Sequence, residues 1–593
     1  MRGLQLSRNS DVPEWDLADL FPGPDSDELH SAITDSITEV RAFRDLYAGK
    51  IGDLSGEDLG EAISAYERIQ DHLGRISSFS QLLHASDMTD SEISRFYQNI
   101  QEKLVDISAD LLFFTLEINR VSKEVLDVQL QAKQASYYAP WLRDLRTLLP
   151  YQLSDEAEVI FHEKEISGSA AWVRLFDELL SRLRVKIDDS VLTLEEALNC
   201  LSDDDAARRR SAAKALGKVF ADNIHTFSLI TNTLMKDKSI EDGYRGHSSP
   251  AASRHLENKV EPEVVGALVS AVRESYPQLS HRYYALKARW FGVSAINYWD
   301  RNAPLPGADE KSFAWDEARD IVLSAYRSFS PVLADIGKKF FDNAWIDAVP
   351  RPGKALGAFS HSTVPSAHPY ILINYLGKPR DVMTLAHELG HGVHQVLAAE
   401  QGALMSDTPL TLAETASVFG EQITFRALLK GETNPERRRC MLASKVEDML
   451  NTVVRQIAFY EFERRVHEER KEGELLPSRI GDIWLDSQAE SFGPAVRVHS
   501  EYRNFWCYIP HFVHTPFYVY AYAFGDCLVN TLYANYQDNS EGFEDRYIEM
   551  LRAGGKLRHR ELLAPFNLDA SEVSFWSRGL NVISDFIDQL EAM

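Results

Sequence analysis

His387 and His391 stand four residues apart in the run Leu385-Ala386-His387-Glu388-Leu389-Gly390-His391-Gly392-Val393-His394-Gln395. On a helix, residues four apart lie one turn above the other on one face, so both imidazoles can meet a single metal ion. Glu388 lies about 100° further round. That places it beside the metal's open position, where its carboxylate can take a proton from a metal-bound water. Apolar residues at Val382, Leu385, Ala386, Leu389, Val393, Val396 and Leu397 recur close to helical period, so the run predicts its own helix.

A catalytic zinc site needs a third protein ligand. A histidine within His-x-x-Gly-x-x-His is excluded, because the glycine position is His394 and the last position is Leu397. The alternative is an acid on a later helix. Thr411-Leu412-Ala413-Glu414-Thr415-Ala416-Ser417-Val418-Phe419-Gly420-Glu421 reads as a second amphipathic helix, with Leu412, Ala416, Phe419 and Ile423 as its apolar stripe. Glu414, Ser417 and Glu421 fall at i, i+3 and i+7 and share one face. Glu414 is the candidate third ligand, and Ser417 and Glu421 are placed to hydrogen-bond the ligands. Taken alone, Glu414 would read as a solvated helix residue. The histidine helix just upstream, across a turn rich in Gly, Ser, Asp and Pro, favours the ligand.

The runs from His387 to Gln395 and Glu414-Thr415-Ala416-Ser417 resemble the thimet-oligopeptidase-like zinc metallopeptidases, and more closely their oligoendopeptidase F branch. Gly357-Ala358-Phe359-Ser360, His368-Pro369-Tyr370-Ile371-Leu372-Ile373-Asn374-Tyr375 and Pro510-His511-Phe512 with Thr515-Pro516-Phe517-Tyr518-Val519-Tyr520 are similar to that branch too. So is the opening Trp15-Asp16-Leu17 with Leu20-Phe21-Pro22. The resemblance implies a mainly α fold: two helical lobes enclosing a deep channel, with a small β-sheet beside the zinc-binding helices, of the gluzincin type. It implies one zinc ion per chain, although the nitrogen and oxygen ligands also suit cobalt or manganese. It further implies short, unstructured peptide substrates, because the family's narrow channel excludes folded proteins. It carries His511, Tyr518 and Tyr522 as hydrogen-bond donors to the developing oxyanion, with His514 competing for the role of His511.

The elements that must position these groups follow from local pattern. Residues 370–375, bounded by Pro369 and Gly377, form the best strand. In zinc peptidases of this type such a strand is an exposed edge to which substrate backbone adds, making Tyr370, Leu372 and Asn374 candidate substrate-binding residues. Lys378-Pro379-Arg380-Asp381 starts the histidine helix. Residues 508–522 are dense in His and Tyr. A helix there puts Tyr518 and Tyr522 on one face, whereas a strand aligns Tyr518, Tyr520 and Tyr522. By composition alone, the stretch reads as an aromatic core segment.

Upstream, 1–25 read as an extended arm and 26–181 as helical, with helix starts at Ser55 and near Ser122. A β-hairpin spans 184–194, and the lobe boundary is drawn there: 1–190 as an N-terminal helical lobe, 191–593 as the catalytic region. Loops are expected at 242–253, 303–307 and 473–478, a turn at 431–435, and helices over 315–341 and on to 469. The runs Asp203-Asp204-Asp205, Arg208-Arg209-Arg210 and Arg437-Arg438-Arg439 read as solvated faces.

At 593 residues the chain is long for one core. A net charge of -26 excludes nucleic acid as a partner, because phosphate binding needs a basic face. Four widely spaced cysteines suit a reducing compartment. No apolar run marks a signal peptide or a membrane span, so a cytoplasmic location is expected. The reading is a zinc-dependent endopeptidase that hydrolyses internal bonds of short, unstructured oligopeptides by way of a zinc-bound water activated by Glu388. A zinc carboxypeptidase or dipeptidyl carboxypeptidase, an inactive peptide-binding protein and a metal-free helical scaffold are the alternatives.

Overall fold

The computed structural model describes residues 12–305 and 311–593. The chain is mainly helical, with small sheets of two or three short strands. It divides into two compact units, and each gathers three separate stretches of sequence.

The first unit comprises Met1–Leu149, Glu310–Gly431 and Asn539–Phe566. Its leading helices, Asp27–Tyr47, Gly56–Ser86 and Ser91–Ala109, start where Ser26, Ser55 and Asp90 accept backbone N–H groups. Ser122 caps a further helix, Lys123–Gln129. Phe43, Phe114 and Tyr66 pack between these helices as one aromatic cluster. The arm leading in is irregular over 12–25. It is pinned by the Asp16 N–H on the Ala344 carbonyl and by buried Leu20 and Phe21. The first eleven residues of the arm, and Pro306 and Gly307 of the expected 303–307 loop, lie outside the described residues.

The sheet of this unit corrects one expectation. Tyr370–Leu372 is its central strand, paired parallel to Ile346–Asp347 on one side and antiparallel to Phe359–His361 on the other. Both of its edges are therefore occupied, and the outer strand is Phe359–His361. Tyr370 and Leu372 are fully buried, and the Tyr370 hydroxyl donates to the Asp16 carbonyl. The Asn374 amide donates to the Ala355 and Gly357 carbonyls. None of the three presents an open edge to a substrate.

The second unit comprises Pro150–Asp309, Glu432–Asp538 and Asn567–Met593. Its longest helix, Ala206–Arg245, has 40 residues and ends at Gly246 in the left-handed region. The hairpin of Val185–Ile187 and Ser190–Leu192 lies wholly inside this unit. Phe176 packs on Phe227, and Arg245 pairs with Glu158, so the helices before the hairpin share a core with the long helix after it. Arg209 departs from the expected solvated run. It is buried and pairs with Asp300, and it also donates to the Asp203 and Asp204 carbonyls. Helices Pro435–Met449 and Arg455–Arg470 run on through a π-helical turn, Leu450–Val454.

Candidate active site

The two helices predicted around the metal ligands form as Pro379–Ala398 and Leu410–Gly431. They cross where Gly390 meets the backbone of Ala416 and Ser417. A Cβ at Gly390 would fall 2.5 Å from the Ala416 carbonyl oxygen and 2.6 Å from Ser417 Cα. Gly420 makes the matching allowance on the second helix, leaving room for the Tyr326 hydroxyl, which donates to the Ala386 carbonyl at 2.7 Å. From the other side the Tyr547 hydroxyl donates to the Thr415 carbonyl at 2.7 Å. Both helices are thus held by their backbones, and their ligand-bearing faces are brought together.

Across that crossing, Glu414 Oε2 stands 3.4 Å from His387 Nε2 and 3.5 Å from His391 Nε2. Donors held about 2.0–2.2 Å from one tetrahedral zinc lie about 3.3–3.6 Å apart, so these three atoms fit a single metal ion. The second helix supports the same atoms. Ser417 Oγ donates to Glu414 Oε2 at 2.6 Å, and Glu421 Oε2 lies 3.3 Å from His387 Nδ1. Both contacts fix the rotamer or tautomer of a candidate ligand.

Glu388 is 7% exposed, and the Ser360 backbone N–H of the outer strand favours its charged form. Burial pushes its pKa up to about 7. His387 goes the other way from what burial alone would give. The Glu421 hydrogen bond and the charges of Glu414 and Glu388 reverse the burial effect and raise it to about 9. Burial and the neighbouring His387 hold His391 down at about 4. Ser360 also binds the histidine helix through Gln395, its Oγ donating to Gln395 Oε1 at 2.9 Å. His394 is buried and meets Thr408. A cavity of about 560 Å³ opens beside His391, lined among others by Val364, His368, His394, Gln395 and Thr408.

The remaining candidates lie in the second unit. His511 begins the short helix His511–His514, and Tyr520–Asp538 follows. His511 Nε2 is 3.2 Å from the Tyr522 hydroxyl, the His511 ring stacks on Tyr518, and the two tyrosine rings are 5.3 Å apart. His514 is turned elsewhere, with Nε2 on Asp177 Oδ1 at 2.8 Å. Between them Phe517 adopts φ +61° with its side chain fully buried. Its N–H donates to Glu463 Oε1 at 2.9 Å, and Arg254 holds the Pro516 carbonyl. Sequence reasoning missed Gly390, Ser360, Gln395 and Glu463. Gly390 alone carried a signal, since a glycine inside a helix costs about 1 kcal/mol and implies a packing reason.

The sequence model of peptidase family M3 matches residues 199–582. The chain belongs to peptidase family M3. A second family model, oligopeptidase F, matches residues 117–184. This M3 chain is 25% identical to oligopeptidase PepF of Bacillus subtilis, over 99% of its own length and 89% of the relative's. It is 24% identical to an oligoendopeptidase F homolog of Lactococcus lactis subsp. lactis, over 98% and 97%. Among solved structures, a chain from Chlamydophila abortus superposes with a TM-score of 0.87 at 20% identity, covering 98% of this M3 chain and 99% of that one. Oligoendopeptidase-F from Enterococcus faecium gives 0.70 at 21%, covering 95% and 98%. Among the described residues of this metallopeptidase, no helix is long and apolar enough to cross a membrane.

Proposed function

We propose that this M3 peptidase is a zinc-dependent oligoendopeptidase that cleaves internal bonds of short, unstructured peptides. The observation that carries the reading is the convergence of His387 Nε2, His391 Nε2 and Glu414 Oε2, with Glu388 buried on the same helix. His387, His391 and Glu414 would hold the zinc, which would supply a Lewis acid for the scissile carbonyl and a more acidic water. Glu388 acts as the general base. It is buried on the helix that carries His387 and His391. Glu388 then returns the proton to the leaving amine. Ser417 and Glu421 hold Glu414 and His387 in their ligating orientations. His511, Tyr518 and Tyr522 are the donors to the developing oxyanion, and the 3.2 Å contact between His511 and Tyr522 favours His511 over His514. Peptide backbone adds to the outer strand Phe359–His361. Four free cysteines agree with a cytoplasmic location.

The test is a quenched-fluorescent peptide blocked at both ends, incubated with wild type and with Glu388→Gln, with metal measured on both. Internal cleavage by the wild type should fall by roughly 100- to 10,000-fold in a variant that retains one zinc. Zinc-loaded wild type that leaves the blocked peptide intact would replace this reading with an exopeptidase.

A further inference from the structure

The outer strand Phe359–His361 has one residue whose backbone faces away from the sheet. Ser360 stands opposite Ile371, between the pairs Phe359–Leu372 and His361–Tyr370. The Ile371 N–H donates to the Trp345 carbonyl and the Ile373 N–H to the Asp347 carbonyl, so the backbone groups of these residues point to the strand on the far side. Hydrogen-bonded and non-hydrogen-bonded pairs alternate along an antiparallel ladder. Ser360 and Ile371 are therefore a non-hydrogen-bonded pair, and the Ser360 N–H and carbonyl turn to the open side. Within the strand Ser360 alone offers its backbone there, because Phe359 and His361 use theirs on Leu372 and Tyr370.

That outward carbonyl already meets a side chain of the metal helix. Gln395 lies one turn beyond His391 on Pro379–Ala398. Its Oε1 accepts the Ser360 hydroxyl at 2.9 Å, and its Nε2 donates to the Ser360 carbonyl at 3.4 Å. The shorter bond anchors the amide, and the longer one steers the carbonyl. A carbonyl oxygen has two lone pairs, so Ser360 keeps one for a second donor. The contact borders open space, since Gln395 and Ser362, Thr363 and Val364, which follow the strand, line the cavity beside His391. Asn374 braces the same segment differently, holding the Ala355 and Gly357 carbonyls ahead of the strand. Gln395 joins the strand to the helix of the candidate ligands.

We infer that Gln395 is a positioning residue for the peptide: it clamps Ser360 so that the outward carbonyl receives a substrate backbone N–H at a fixed place relative to His387 and His391. The inference rests on the proposed addition of peptide backbone to Phe359–His361. A slip of the strand by one residue would turn the Ser360 backbone inward, so the clamp also guards the register. Pairing through the backbone does not read side chains. Gln395 thus governs which bond lies at the metal and leaves the choice of flanking side chains to other groups.

The test replaces the backbone N–H groups of one end-blocked peptide, one at a time, by ester oxygens, which removes a donor with little change of shape. Binding of each ester and of the parent peptide to zinc-loaded Glu388→Gln is measured by calorimetry. One ester position should bind roughly 3- to 12-fold more weakly than its neighbours, the value of a single hydrogen bond. Adding Gln395→Ala should bring that penalty below twofold with zinc still bound. Ser360→Ala removes only the hydroxyl anchor and should give an intermediate penalty, and it decides the matter if the Gln395 variant fails to fold. General loosening of the fold would weaken every peptide alike and leave the ratio intact. A position-specific penalty that persists or grows in the variants overturns the clamp and leaves strand addition standing. Equal binding of all the esters to the Glu388→Gln parent refutes strand addition and the clamp with it. Turnover of the blocked parent peptide by wild type is read in parallel. Its absence would refute the hydrolytic reading while the ester ratio still decides the clamp.

Discussion

Ser417 Oγ donates at 2.6 Å to Glu414 Oε2, the same oxygen that faces both histidine rings. The hydroxyl therefore fixes which carboxylate oxygen is offered to the metal. Ser417→Ala should weaken zinc retention by roughly 10- to 100-fold, the range for groups that orient metal ligands. Competition with a zinc-responsive chelator measures this directly. Unchanged affinity would make the contact incidental.

Glu421 plays the corresponding part for His387, holding Nδ1 so that Nε2 faces Glu414. Glu421→Ala should cost zinc affinity on a similar scale. Glu421→Gln keeps an acceptor and should fall between the alanine variant and wild type. A glutamine variant weaker than the alanine variant would contradict the orienting role.

Gly390→Ala tests the helix crossing. The added Cβ meets backbone atoms of Ala416 and Ser417, which cannot rotate away. The helices must separate, with an expected loss of about 1–3 kcal/mol in stability and a looser metal site. Chemical denaturation and zinc titration of the one variant report both effects, and they should appear together.

Tyr522→Phe should lower kcat by roughly 100- to 1000-fold with little change in KM, the signature of a donor acting mainly in the transition state. His514→Ala, whose native side chain pairs with Asp177, should stay within about threefold of wild type. A large loss in the histidine variant with a mild one in Tyr522→Phe would reverse the assignment.

Stability should fall on mild acidification. Burial holds His255 at about 4 and His467 at about 3, below the ordinary value of 6.5. As pH drops below 6.5 the unfolded chain takes up these protons and the folded chain does not. The stabilisation is thus complete above 6.5 and is lost progressively down to the folded values. Once the pH reaches the folded values the loss is about 3 kcal/mol for His255 and about 5 kcal/mol for His467. Denaturation midpoints at pH 7 and pH 5 should differ, and the drop should be smaller in His467→Leu.

The sequence was most readable where the physics is local. The helical period of Val382 to Leu397 and the i, i+3, i+7 spacing of Glu414, Ser417 and Glu421 set both helices and the faces that meet. Long-range pairing left no such trace. The outer strand Phe359–His361 is three residues long, too short for a period, so the stronger 370–375 pattern reads as the edge. Arg209 finds Asp300 far along the chain, and no charge-run argument anticipates that partner. The π-helical turn at Leu450–Val454 has an ordinary helical composition, so only the backbone reveals it.

The interleaving of the two units also sets an order of assembly. Tyr547, on the helix Phe543–Arg552, packs its ring against Phe329 and Phe419 and ties its hydroxyl to Thr415, one residue from Glu414. Every candidate ligand has been synthesised by residue 414, yet the brace that seats the glutamate helix arrives only with the C-terminal stretch. A nascent chain therefore carries the complete donor set before it can hold the set rigidly. Hydrolytic competence is deferred until Phe543–Arg552 has been made, and a chain cut between Tyr522 and Phe543 would keep every candidate ligand and donor without the Tyr547 brace.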